Sequence, residues 1–197
     1  MNSTITLPNT GALFSVLKGM DINNYRWVML VASIMMIHFI VTGFFAGSGR
    51  KNAFSEEFLE KNFKEEHEKA FPEGSSAALQ RKLPKGGYPD MGSGRFSDKL
   101  AYKEWYLFNL GQRIHYHYLE SVTSVVCWLL IAGLLYPWVA VAFGSAFIVG
   151  RIIFHIGYAI KGPKGRLIGF LICQLSAIVL FAFSLVSPIQ MAVQNST

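Results

Sequence analysis

The chain has 197 residues, of which 52% are hydrophobic and 15% charged, with a mean hydropathy of +0.34. That balance excludes an ordinary soluble domain and predicts one membrane domain over residues 1–197. The net charge of +6 gathers beside apolar runs, where it reports topology; no basic stripe lies elsewhere, so nucleic acid is not an expected partner.

Residues 1–25 are mixed, and residues 10–17 read as a short interfacial helix. The start lacks the charged-then-apolar pattern of a secretory signal. Asn2-Ser3-Thr4 and Asn195-Ser196-Thr197 match a glycosylation triplet but lie at the extreme ends, where the match is read as chance. Trp27 to Ala46 carries no formal charge and is long enough as a helix to cross roughly 30 Å of hydrocarbon. His38 is its one ionisable group and reads as a neutral ring bonded to a neighbouring helix. Arg50 and Lys51 close the span, where the helix dipole favours cations.

Residues 52–104 form a long extramembrane insertion between the first two spans. Ser55-Glu56-Glu57 predicts a capped, charged helix reaching about Ala70. Pro84, Gly86, Gly87, Pro89, Gly92 and Gly94 then predict an irregular loop. Ordering so polar a segment needs contacts, and a partner chain is the expected source. Trp105, Tyr106 and Phe108 anchor the chain where it re-enters the membrane.

The second span is predicted from about Tyr116 to Leu135, the third from about Val139 to Ile160 and the fourth from about Leu167 to Ser187. The expected fold is therefore all-α, an integral membrane four-helix bundle. Cys127 and Cys173 fall inside apolar runs and read as small core residues. Arg50, Lys51, Arg113, Lys161, Lys164 and Arg166 share one side, which the positive-inside rule places in the cytosol or a mitochondrial matrix.

The unusual polar residues gather at that same side. Arg113, His117 and Glu120 stand at i, i+4 and i+7 and share one helix face, while His115 points roughly the other way. Arg151, His155 and Tyr158 repeat the spacing on the third span. Charges there must meet protein, water or ligand, because meeting lipid costs several kcal/mol. The bland reading is a helix–helix ion pair. A di-iron site is set aside, because it needs four carboxylates in the bundle and Glu120 stands alone, so no metal is expected. A bis-histidine haem drawing on His38, His117 and His155 is a lesser alternative. An anionic ligand fits better. Arg50, Lys51, Arg113 and Arg166 suit carboxylates, Glu120 suits a ligand ammonium or pairs with Arg113 or Arg151, and Tyr158 adds a hydroxyl. Glutathione carries that set of groups.

The run Phe108-Asn109-x-x-Gln112-Arg113-x-His115 up to Glu120, with Ile148-Val149-Gly150-Arg151, Gly157-Tyr158, Pro163 and Arg166, resembles the MAPEG family of membrane proteins in eicosanoid and glutathione metabolism. The likeness is nearest to the microsomal glutathione S-transferase type 3 branch, good over about 108–171 and weaker over 27–51. The resemblance implies a four-helix homotrimer in the endoplasmic reticulum or a mitochondrial membrane, with glutathione between subunits. It implies glutathione contacts at Arg113, His115, His117, Glu120 and Tyr158, with Arg50 reaching in from the neighbouring subunit, and a catalytic Arg166 that stabilises the thiolate. It implies an enzyme, a glutathione S-transferase or peroxidase acting on a lipophilic electrophile or hydroperoxide from the bilayer. Three residues depart from the family: His117 replaces a usual Asn, Phe154 a frequent Tyr, and Ser121 a bulkier residue. With the 52–104 insertion they open an alternative, a non-catalytic structural subunit whose partner chains bind through 52–104.

Overall fold

The computed structural model describes residues 20–73 and 82–194. The interfacial helix expected over 10–17 and both glycosylation triplets include residues outside that range. Among the described residues the long regular elements are helices, and there is no strand. Helix α1 runs Ile22–Ala53, α2 Glu56–Ala70, α3 Tyr102–Gly133, α4 Pro137–Lys161 and α5 Leu167–Gln194. Three of them, α1, α4 with its following turn, and α5, are long and apolar enough to cross a membrane.

Local signals explain the boundaries. Asp21 caps α1 by accepting from the Asn24 amide at 3.2 Å. Ser55 caps α2 as expected, accepting from the Phe58 amide at 3.2 Å. Pro137 opens α4, where its missing N–H costs nothing. Gly162 ends it at a φ of 65°. Three elements outrun the sequence expectation, α5 among them, which continues past Ser187 to Gln194. α1 extends beyond its apolar stretch at both ends, and α3 starts at Tyr102 rather than near Tyr116. Hydrophobicity marks what lies in lipid, whereas the helical hydrogen-bond ladder continues into water when packing supports it.

Val28, Met35, Tyr118, Val125, Leu129, Phe147 and Leu180 fill the bundle interior. α4 and α5 approach through glycines. A Cβ on Gly157 would overlap the Gly165 carbonyl, and one on Gly169 would overlap the α4 backbone at Phe154. Small residues let backbones touch where no hydrophobic drive separates helix from lipid.

The insertion has its own small core of Phe54, Leu59, Phe63 and Phe108, with Phe58, Leu83, Phe96 and Leu100 against it. It packs on the ends of α1 and α3, so within this chain part of its order comes from its own aromatic residues. Asp90 organises the loop. Its carboxylate accepts from the amides of Gly92 (2.8 Å), Gly94 (3.0 Å) and Ser97 (2.7 Å) and from the Ser97 hydroxyl (2.6 Å). Gly92, at a φ of 109°, turns its carbonyl to receive Trp105 Nε1 and Asn109 Nδ2, each at 3.0 Å. The re-entry aromatic thereby ties the loop to α3.

Candidate functional site

The Arg113, His117 and Glu120 face forms as the spacing predicts. Arg113 Nη1 donates to Glu120 Oε1 at 2.8 Å, and both side chains are about half exposed. In so open a setting that pair contributes roughly 0–1 kcal/mol. It leaves other guanidinium donors and the second carboxylate oxygen available to a ligand.

His117 lies one turn between them, half-buried. Its Nδ1 is 2.7 Å from Arg151 Nη1. Its ring stacks on Phe154 with centroids 4.7 Å apart and meets the edge of Phe170 at 5.8 Å. The two departures at His117 and Phe154 thus pack on one another.

Arg151 is the residue the sequence reading undervalued. It is 2% exposed. Its Nη2 donates to the Ile114 carbonyl at 3.2 Å, and its Nε has no partner among the described residues. The guanidinium carbon stands 4.3 Å from the Tyr118 ring and 4.7 Å from the Phe154 ring. Glu120 pairs with Arg113, one of the two partners open to it on sequence. An arginine inside an apolar span was the available signal; burial and partner were not legible.

The expected face of Arg151, His155 and Tyr158 divides. Arg151 and Tyr158 point into the bundle, whereas His155 meets Phe45 of α1 edge-on at 5.8 Å. Tyr158 stacks on Phe154 at 5.6 Å, and Arg166 reaches over the Tyr158 ring at 5.6 Å. His117, Arg151, Phe154, Tyr158 and Arg166 therefore form a continuous chain of contacts across α3, α4 and the start of α5.

Two expected site residues lie elsewhere within this chain. His115 points to α1, with Nδ1 3.1 Å from Thr42 Oγ1, its ring stacked on Phe39 at 4.9 Å and packed against Gly43. Arg50 is 4% exposed and enclosed by the insertion. Its Nη1 donates to the Gly86 carbonyl at 3.0 Å, its Nη2 contacts Met91 Sδ at 3.1 Å, and Tyr88 covers it at 4.0 Å.

His38 lies 3.4 Å from the Tyr118 hydroxyl, which donates to the Met35 carbonyl at 3.1 Å. His38, His117 and His155 are each engaged by a different residue. Among the described residues no group of three or more His, Cys, Asp and Glu is placed to hold a metal. Below Glu120 and Ser121 a cleft of about 260 Å³ runs between α3 and α5, with Trp128, Phe147, Ile178 and Phe181 on its walls and Gln174 at its side. It is mainly apolar with a charged mouth. That arrangement can seat an amphipathic molecule, its polar part on Arg113 and Glu120.

The family model for the MAPEG family matches residues 26–186. No solved structure matches the chain.

Proposed function

The chain belongs to the MAPEG family, and from that premise we propose that it is a membrane-bound glutathione transferase or peroxidase of the microsomal glutathione S-transferase type 3 kind. The observation that carries the proposal is the meeting of Arg113, His117, Glu120, Tyr158 and Arg166 at one end of the bundle, above an apolar cleft. In this reading α3 is a fourth span, its polar turns facing protein and ligand, and the working unit is a homotrimer in the endoplasmic reticulum or a mitochondrial membrane.

Arg113 and Glu120 bind the charged ends of glutathione, with His117 and Tyr158 as hydrogen-bonding groups beside it. Arg166 faces the sulfur. A thiolate, not a thiol, is the nucleophile, and a guanidinium beside it favours the ionised form. The thiolate attacks a lipophilic electrophile, forming a C–S bond as the leaving group departs or the conjugated bond accepts the electron pair. With a hydroperoxide it attacks the terminal peroxide oxygen; the O–O bond breaks, the alkoxide takes a proton and leaves as alcohol, and a second glutathione thiol displaces water from the sulfenic acid to give glutathione disulfide. The α3–α5 cleft supports entry of such a substrate from the bilayer. His115 and Arg50 act in this reading from positions on α1 and its neighbours, and Arg50 contributes only when the 84–91 loop releases it.

The enclosure of Arg50 favours a second reading, a structural subunit of a larger membrane complex with partner chains on 52–104. Calorimetry with glutathione on the purified protein, with thiolate absorbance read in the same sample, separates the two. Binding with a thiolate signal at neutral pH supports the enzyme. Absence of binding at millimolar glutathione refutes it and favours the subunit, which should then co-purify with partners.

A further inference from the structure

We propose that Arg151 is a positioning residue that fixes His117 as an Nε2–H donor, and that this N–H bonds an acceptor atom of the bound ligand. The proposal rests on the glutathione reading for the identity of that ligand, but its first step concerns this chain alone.

A guanidinium has only donors. Arg151 Nη1 lies 2.7 Å from His117 Nδ1, so Nδ1 must supply the lone pair. The ring proton therefore sits on Nε2. The tautomer follows from the geometry of its partner, as it does wherever a second group fixes a histidine. The plane of the ring is held by Phe154, which stacks on it at 4.7 Å, and by Phe170, which meets its edge at 5.8 Å. A flip about the ring axis would put a carbon against the guanidinium.

Nε2 has no protein partner among the described residues. The charged groups around the ring are Arg113 and Glu120 from its own helix, Arg151 from α4 and Arg166 at the start of α5. Arg151 itself touches a ring nitrogen, a carbonyl and two aromatic faces, and no carboxylate. Glu120 acts on this cation only through space, its direct contacts are neutral and its Nε is unpartnered among the described residues, and such a buried charge is costly unless an anion compensates it more closely. The nearest route to one is through the imidazole. The guanidinium polarises the ring, the ring presents Nε2–H, and an anionic atom completes the series. Where a side-chain amide would donate through an NH₂ of its own, this chain substitutes a two-residue device.

The test uses full-length protein without a histidine tag, labelled with ¹⁵N in its five histidines and held in lipid nanodiscs. His117 is assigned by the signal missing in H117N. The expected spectrum at pH 7 shows His117 as the Nε2–H tautomer, and added glutathione shifts its Nε2 signal more than its Nδ1 signal. A second arm measures glutathione affinity in a cycle of R151M and H117N. R151M should weaken binding about tenfold alone and less than twofold beside H117N, because Asn does not need a tautomer set for it; R151K should recover part of the loss. An Nδ1–H tautomer overturns the proposal without any variant. Equal losses from R151M in both backgrounds mean a merely structural arginine and also overturn it. Glutathione binding that leaves His117 Nε2 unshifted removes the donor role and spares the transferase reading. An Nε2–H tautomer with no glutathione binding supports the Arg151–His117 assignment and refutes the transferase reading.

Discussion

Replacing Asp90 with Asn tests whether one carboxylate organises the extramembrane loop. Asp90 is 7% exposed. Oδ1 accepts from the Gly92 and Gly94 amides and the Ser97 hydroxyl, and Oδ2 accepts from the Ser97 amide at 2.7 Å. Asn keeps one carbonyl oxygen. With that oxygen at the Oδ1 position, its NH₂ faces the Ser97 N–H, donor against donor. One charge-assisted bond is lost, the three to the remaining oxygen weaken as the charge disappears, and one buried donor is stranded. At about 1–3 kcal/mol for a stranded group, the loop should lose about 2 kcal/mol, which is roughly a thirtyfold fall in local protection. Hydrogen exchange followed by mass spectrometry over residues 88–100, with the α4 peptides as internal reference, reads that change directly. The same logic gives a pH dependence. Burial pushes the Asp90 carboxyl up, but hydrogen bonds from Ser97, Gly92 and Gly94 outweigh it and hold the group below its ordinary value of 3.8. Its contribution is fully present above that value and is lost as pH falls through the lower folded value. Wild-type protection, corrected for intrinsic exchange, should therefore drop only in strong acid, and D90N should lack that step. Wild-type protection in D90N at pH 7 would refute the reasoning.

R50Q removes a guanidinium that holds Gly86 and Met91 and stacks on Tyr88; at about 1.5–3 kcal/mol for its charged hydrogen bond and ~1 kcal/mol for the stacking, trypsin should cut at Lys85 and Arg95 at least tenfold faster, and an unchanged rate would show that the insertion is held elsewhere. G157V drives a branched side chain into the Gly165 carbonyl, and the α4–α5 turn should lose several kcal/mol, seen as a fall in the detergent melting temperature; A159V, with no such backbone contact described, is the control. R166A should abolish the thiolate absorbance of bound glutathione while the melting temperature holds, and unchanged turnover would remove its assigned role.

The helices were legible because their causes are local. An apolar stretch the thickness of a bilayer has few folded options, and Ser55 announces a helix start by its own hydrogen-bonding chemistry. Their ends were less so. α3 runs well ahead of its apolar portion because Trp105 and Asn109 fasten its first turns to the Gly92 carbonyl, a contact across a loop. The Arg113–His117–Glu120 face was legible because helical periodicity alone sets it, and His115 pointed away from it for the same reason.

Periodicity could not choose among partners. Arg113 and Arg151 were equal candidates for Glu120, and the packing of α4 on α3 decided it by carrying Arg151 to His117 instead. Arg50 read as a cation for a ligand carboxylate; the folded insertion encloses it beneath Tyr88. In each case the sequence determined which helix face a charge occupies. Tertiary structure determined what it meets, because a guanidinium reaches far enough from its backbone for the neighbouring element to select its partner.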